Sequence, residues 1–262
     1  MRTAIITGAS SGMGGIFAKE IAKRYKNVEE IWIIARREER LLALKEEIGP
    51  GKQVVILPLD LSKEEDVKHY GNLLSEKKPD VCILVNSAGY GKTGSFEEIG
   101  YEHNRGMVRL NCQALTDMTY LTLPYLRKGA RIIQLASSAA FLAQPDFAVY
   151  AATKSYVLSL SRALNIELAD RKISVTAVCP GPVKTEFFDH VEACAEGRKS
   201  DKASGKVKQL KMLVMADPEK VVKKAIKDAG KGKEISVYGP VMQLFSLLCK
   251  LVPHGIILKI IS

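Results

Sequence analysis

Apolar positions along this chain alternate between two periods. Seven short runs have the length and β-branched content of buried strands: Met1–Ile6, Ile31–Ala35, Gln53–Leu57, Val81–Val85, Ala130–Leu135, Ile173–Val178 and Ile235–Tyr238. Val81-Cys82-Ile83-Leu84-Val85 is almost wholly apolar, as a central parallel strand covered on both faces requires. Between the runs, apolar residues recur at helical spacing over Ile16–Lys23, Glu38–Ile48, about Tyr101 to Arg127, and Val149–Ala169. Gly49-Pro50-Gly51 stops the second of these helices, and Asp217-Pro218-Glu219 opens a later one with proline in its first turn. Ser62 is placed to cap a further helix, with Glu65 completing a capping box. Strands alternating with helices predict right-handed crossovers and a doubly wound α/β sheet of about seven parallel strands. With no repeat or linker, residues 1–262 are expected to form one domain.

Two stretches fall outside this alternation. Residues 186–216 are irregular and polar, and they are expected to form a lid over a substrate. Residues 240–262 are markedly apolar but interrupted by Lys250, Pro253, His254 and Lys259, which rules out a spanning helix. A subunit interface, a flap over the pocket and an interfacial membrane anchor all fit that tail.

Composition narrows the class. The chain is 47% hydrophobic and 26% charged, which suits a globular protein with a substantial core. Its five cysteines have no paired spacing and no signal peptide precedes them, so reduced thiols and a cytoplasmic location are expected. The four histidines are scattered, which argues against a metal. Much of the +10 net charge comes from Arg198 to Lys233, with 12 basic and 4 acidic residues. That stretch reads as a solvated lysine face, with attraction of an anionic substrate or surface as the sharper alternative. It lacks the interleaved aromatic residues that stack on bases, so no nucleic-acid partner is expected.

Three places carry candidate chemistry. Thr7-Gly8-Ala9-Ser10-Ser11-Gly12-Met13-Gly14 lies between the first strand and the first helix. Gly8 suits a tight turn, Gly12 lets backbone approach a pyrophosphate, and Gly14 lets the helix pack against the strand. The helix N-terminus would then present N–H groups to phosphate. The spacing G-x-x-x-G-x-G also fits an ordinary glycine turn. Tyr150 and Lys154 stand four apart on one helix face, where an ammonium favours a phenolate; an exposed pair is the plainer reading. Ser137 and Ser138 follow the fifth strand, at the carboxyl edge where open α/β sheets bind ligands. They are also small enough to be mere turn residues.

Taken together, Thr7–Gly14, Asn86-Ser87-Ala88-Gly89, Asn111, Ser137, Tyr150 with Lys154, and Pro180-Gly181-Pro182-Val183-Lys184-Thr185 resemble the short-chain dehydrogenase/reductase family. The resemblance covers about the first 185 residues and implies a Rossmann-type fold. It implies Tyr150 as general acid or base, Lys154 on the nicotinamide ribose, and Ser137 orienting the substrate oxygen, with Ser138 the fallback. Asn111 would complete the set by holding a relay water through its backbone. For the cofactor it implies Gly8, Ser10, Ser11, Gly12, Met13 and Gly14 at the phosphates, and Asp60 and Leu61 at the adenine. Asn86, Ala88 and Gly89 would lie over the adenosine ribose, and Pro180, Gly181, Val183 and Thr185 beside the carboxamide. Ser87 departs from the family's usual N-N-A-G. A homodimer or homotetramer paired through residues 101–127 and 149–169 is also implied.

The sequence speaks to cofactor choice directly. Where an NAD enzyme carries an acid after the second strand, this chain has Ala35 followed by Arg36 and Arg37. Guanidinium groups pair with a ribose 2′-phosphate, so NADP(H) is expected. Phe187, Phe188, Val191, Leu210, Met212, Leu213 and Met215, with Tyr90, Phe141 and Leu142, suggest apolar pocket walls. A hydroxysteroid, a long-chain ketone or a β-ketoacyl thioester fits such walls. A dinucleotide sensor without turnover and a membrane-docked reductase remain as alternative functions.

Overall fold

The structure, a computed structural model, describes residues 1–186, 215–253 and 255–256. Seven strands form one parallel sheet in the order β3-β2-β1-β4-β5-β6-β7. They are β1 (Arg2–Thr7), β2 (Glu30–Ala35), β3 (Gln53–Pro58), β4 (Asp80–Asn86), β5 (Leu126–Leu135), β6 (Ser174–Val178) and β7 (Ile235–Ser236). Between and after them run α1 (Gly12–Arg24), α2 (Glu38–Ile48), α3 (Glu64–Lys77), α4 (Phe96–Ile99), α5 (Tyr101–Val108), α6 (Leu115–Thr122), α7 (Ala148–Glu167), α8 (Pro218–Gly230) and α9 (Pro240–Leu251). This is the doubly wound α/β architecture that the strand–helix alternation predicts.

The sheet is covered on both faces because its strands are apolar at consecutive positions. Ala4 and Ile6 of β1 pack with Phe17, Ala18 and Ile21 of α1, Leu41 of α2, and Val222 and Ile226 of α8. Ile5, between them, joins Tyr70 and Leu74 of α3 and Met118 of α6 on the other face. Each such fully buried aliphatic chain contributes about 1.5–3 kcal/mol. The order of strands reverses between β1 and β4, and a crevice opens at such a point beyond the strands' carboxyl ends.

Some elements depart from the sequence expectations. The helix expected over about Tyr101 to Arg127 is interrupted by a π-helical turn at Arg109–Ala114 and closes in a 3₁₀ turn at Leu123–Tyr125. β5 therefore starts at Leu126, four residues before the apolar run, and a register shift lies between the pairs Val81–Leu126 and Ile83–Arg131. Ser62 does not cap α3. Lys63 holds that position, and Ser62 donates instead to Asp60 Oδ1, 2.7 Å from its hydroxyl. β7 is two residues long rather than four. Most of the expected lid, including Phe187, Phe188, Val191, Leu210, Met212 and Leu213, lies outside the described residues, as do His254 and residues 257–262. Among the described residues, no helix is long and apolar enough to cross a membrane.

Candidate active site

Because all seven strands are parallel, every loop that follows a strand comes to the same edge of the sheet. The turn after β1 is a close one. Gly8 has φ +66°, and a Cβ there would lie 2.7 Å from the Ala88 nitrogen at the end of β4. A Cβ on Gly14 would lie 2.2 Å from the Gly8 carbonyl oxygen, so α1 sits directly on the turn. Thr7 Oγ1 accepts from the Ser87 and Ala88 N–H groups at 3.0 and 3.1 Å, tying β1 to β4 across the crevice. At the start of α1, Ser11 is extended and makes no side-chain cap bond, and the first turn carries no acid. The N–H groups and positive dipole end of that turn are thus left without a side-chain cap or an acid, as an anionic ligand needs. Leu61 is buried in the core, and Met13 is half-buried against it.

Gly12 links this turn to the segment after β6. A Cβ on Gly12 would come within 3.7 Å of Thr185 Cβ. That segment is held by paired hydrogen bonds between Pro182–Lys184 and Ala216, and Val183 is buried. Pro180 carbonyl accepts from Ser138 N–H at 2.8 Å, which fastens it to the loop after β5. Gly181 has Met242 of α9 against it.

The loop after β5 presents Ser137, whose Oγ accepts from Ala139 N–H at 3.1 Å and so keeps its own hydroxyl proton to donate. Ser137 also hydrogen-bonds with the Tyr150 side chain, which is buried. Ser137 is therefore the serine at the tyrosine. Burial pushes the Tyr150 phenol up to about 12, with the Ser137 hydrogen bond opposing it. Lys154 Nζ donates to Leu135 carbonyl at 2.7 Å and stands 5.6 Å from the Tyr150 ring centroid. Burial lowers Lys154 to about 8, against the opposing pull of Cys112 and Cys179. In the chain alone, then, the phenol is protonated at neutral pH, and desolvation outweighs any lowering by the ammonium.

Asn111 lies in the π-helical turn and is fully buried. Its side chain is used up locally: Nδ2 donates to Tyr90 carbonyl and Thr153 Oγ1, and Oδ1 accepts from Tyr90 N–H. A side chain so committed is a structural tie, and what it leaves for chemistry is its backbone. A Cβ on Gly89 would press within 2.9 Å of Asn111 Oδ1 and 3.5 Å of Lys154 Nζ, so glycine makes room here for both. Asn86 is buried too, donating to Thr119 Oγ1 and Gln134 Oε1.

On the far side of the turn after β1, Arg37 donates to Ser10 Oγ at 3.2 Å and lies 3.7 Å from Glu186. Arg40 holds both oxygens of Glu186 at 2.8 Å. Arg36 is exposed and has no ion pair among the described residues, and its charge reaches the Tyr90 hydroxyl. Asp60 Oδ1 is fixed by the Ser62 N–H and hydroxyl, which orients the carboxylate at the end of β3.

The sequence pattern did not single out Thr153, Phe147, Arg40 or Glu186. Thr153 accepts from Asn111 and donates to the Tyr150 carbonyl. Phe147 stacks on Tyr150 with ring centroids 4.3 Å apart. Thr153 sits inside the Tyr150–Lys154 spacing, the one sequence signal that could have drawn notice. Phe141 and Leu142, expected in a pocket wall, are buried, and Phe141 packs on Phe245 of α9. A separate groove of about 870 Å³ lies between the end of α1 and α8. Its lysines are largely paired with Glu20, Glu219 and Asp228, and it contains none of the residues above.

Comparison with known proteins agrees with this fold. The profile of the short chain dehydrogenases matches residues 2–195. An 11-beta-hydroxysteroid dehydrogenase of Pinus massoniana is 34% identical over 193 residues, 71% of this chain and 52% of that protein. The chain thus spans about half the length of that relative. The solved 3-ketoacyl-(acyl-carrier-protein) reductase from Brucella melitensis, complexed with NADH, is 28% identical, with TM-score 0.72 over 90% of this chain and 94% of that one. A short-chain dehydrogenase from Sphingobium yanoikuyae in complex with NADPH shares the fold at 24% identity, TM-score 0.77, over 97% and 98%. With most of its length matched and its strand order, glycine turn and Ser137–Tyr150–Lys154 cluster in register with one another, the chain belongs to the short-chain dehydrogenase/reductase family.

Proposed function

We propose that this protein is an NADP(H)-dependent oxidoreductase that interconverts a ketone and a secondary alcohol on an apolar substrate. The observation that carries the reading is the convergence of Ser137, Tyr150 and Lys154 at the crevice beside the Gly8–Gly14 turn. The residues fit a dinucleotide: a turn with no room for a Cβ, an uncapped helix start, and Thr185 close to Gly12. The Gly8–Gly14 backbone would hold the pyrophosphate, Asp60 the adenine, and Lys154 the nicotinamide ribose. Val183 and Thr185 would hold the carboxamide. When bound, the nicotinamide supplies or accepts the hydride.

The chain's own part is proton handling. In reduction, Tyr150 donates its phenolic proton to the carbonyl oxygen while the Ser137 hydroxyl hydrogen-bonds the same atom. Charge developing on that oxygen is met by two donors already in place, so little reorganisation is needed. In oxidation Tyr150 must be a phenolate, and the Lys154 ammonium and an oxidised nicotinamide both favour that form. The phenolate takes the proton of the alcohol hydroxyl, and Lys154 and the backbone of Asn111 would then pass it through water to the solvent. The relatives' steroid and ketoacyl substrates, and the apolar cluster of Ile99, Met107, Phe147 and Tyr90 around Tyr150, support an apolar substrate: a hydroxysteroid, a long-chain ketone or a β-ketoacyl thioester. The exposed Tyr101, Tyr120, Tyr156 and Ile166 on α5, α6 and α7 support pairing into a homodimer or homotetramer.

The cofactor preference has its own test. Arg36 follows Ala35 at the end of β2 and is free of ion pairs among the described residues, whereas Arg37 is engaged with Ser10 and Glu186. Arg36→Ala should weaken NADPH binding by about 1.5–3 kcal/mol, the scale of a hydrogen bond to a charged group, and leave NADH unchanged. Fluorescence titration with both cofactors reads this out. An unaltered preference would remove Arg36 as the discriminating residue.

A further inference from the structure

Helix α9 is apolar on both its inner and its outer side. Ser246 and Cys249 are buried, Phe245 packs on Phe141, and Met242 presses against Gly181. The outward face carries Val241, Leu244, Leu247, Leu248 and Leu251, each between 45% and 71% exposed, followed by Ile256 at 53%. Of the fourteen large hydrophobic side chains exposed among the described residues, six fall within positions 241–256. A helix facing water carries polar residues on its outer side, so something apolar is needed to cover this one.

Charge and length identify the cover. From Gly239 to Ser262 the sequence has Lys250, His254 and Lys259 and no carboxylate, and its apolar character continues through Ile257, Leu258, Ile260 and Ile261. A self-complementary contact would set this segment against an identical one, lysines facing a surface without an acid. An anionic bilayer offers apolar depth and negative headgroups together, and the +10 net charge favours approach to it. At 12 residues α9 is about 18 Å long, too short to cross a hydrocarbon core of about 30 Å.

We propose that α9 docks on an anionic lipid surface with its axis in the plane of the interface. The inner side of the helix touches Gly181 and Phe141, which flank the loop bearing Ser137. An apolar substrate dissolved in the bilayer would therefore reach the crevice without passing through water. The docking stands on α9 alone and does not depend on the proposed reaction.

Sedimentation of the full chain with vesicles tests it. With equal parts phosphatidylcholine and phosphatidylglycerol, the protein should pellet at least about tenfold more than with phosphatidylcholine alone, and salt should weaken the difference. The triple variant L244E/L248E/L251E should stay in the supernatant while keeping the wild-type Tm. Should the triple substitution impair folding, Leu251→Glu alone, at the most exposed of these side chains, gives the same comparison. Wild type left in the supernatant with anionic vesicles overturns the proposal. So does equal pelleting of wild type and variant, which would assign binding to lysines elsewhere. Wild type that ignores vesicles but loses mass in solution on substitution would give α9 to a second copy instead.

Discussion

Tyr150→Phe is expected to abolish turnover and leave NADPH affinity within about twofold. The substitution removes one oxygen from a ring whose position is otherwise fixed: Phe147 stacks on one side at 4.3 Å, and the α7 backbone holds the Cα. The ring remains, so the crevice keeps its shape. What disappears is the phenol hydrogen-bonded to Ser137, and with it general acid catalysis worth about 10²–10⁴-fold, further increased by loss of a donor to the developing oxyanion. The pH dependence should be lopsided. Since burial pushes the phenol up to about 12 in the chain alone, the protonated form needed for reduction persists through the neutral range. Oxidation needs the phenolate, so its rate should climb with pH until the tyrosine of the loaded enzyme has titrated. Stopped-flow single turnovers in both directions separate these effects from product release. Retention of more than a few per cent of activity in Tyr150→Phe would take the proton role away from this residue.

Gly14→Ala is expected to be the most damaging single-methyl change in the cofactor cradle. The added carbon would lie 2.2 Å from the Gly8 oxygen, 2.7 Å from the Gly8 carbonyl carbon and 3.2 Å from Ala9 Cα. All three neighbours are backbone, so no side chain can swing away, and either α1 or the turn must move. Overpacking of this kind costs about 1–3 kcal/mol or more, which for a chain of this size lowers Tm by roughly 2–4 °C per kcal/mol. Because the displaced parts are the turn and helix start that would receive the pyrophosphate, NADPH affinity should fall at least about tenfold, one charge-assisted contact or more. Gly51→Ala is the matched control, since a Cβ there meets nothing within 4 Å, and it should leave both quantities unchanged. Calorimetry and titration on the two variants decide the matter. An unaltered Tm and affinity in Gly14→Ala would mean that α1 does not sit on the turn as closely as described.

The parts of this fold that were legible in the sequence are those where local pattern and tertiary role agree. β1, β2 and β4 lie inside the sheet, so their apolar runs are continuous and their limits plain. β5 was partly hidden because Arg127-Lys128-Gly129 separate its buried first residue, Leu126, from the apolar run and carry charge. Ser62 and Glu65 have the spacing of a capping box, but the helix starts one residue later with Lys63 at the cap position, and Asp60 Oδ1 accepts from both the Ser62 N–H and its hydroxyl. The π-helical turn around Asn111 has no local signature at all, because the Tyr90 and Thr153 contacts that accompany it come from distant segments. The tail is too interrupted for a spanning helix, and within it Pro240–Leu251 form a short one, since Lys250 falls near its end and Pro253 beyond it.

The candidate site follows the same rule. Gly8, Gly12, Gly14, Tyr150 and Lys154 could be picked out because each is a residue type that few others can replace at that backbone position or spacing. Thr153, Phe147 and Glu186 could not, since threonine, phenylalanine and glutamate acquire meaning here only through what lies opposite them. Even Lys154 differs from the simple expectation: in the chain alone burial pushes the Tyr150 phenol up, and the opposing influence is the Ser137 hydrogen bond.

The central claim, a working NADP(H) site built on Tyr150, is tested most directly by titrating the protein with NADPH and NADH, then following cofactor oxidation across a ketone panel. The panel would run from small diketones through keto-steroids to β-ketoacyl thioesters. Tighter binding of NADPH than NADH, with turnover confined to an apolar class and absent in Tyr150→Phe, is the predicted result. Tight binding with no turnover of any class would contradict the claim and turn the chain into a dinucleotide sensor that carries an idle acid–base pair.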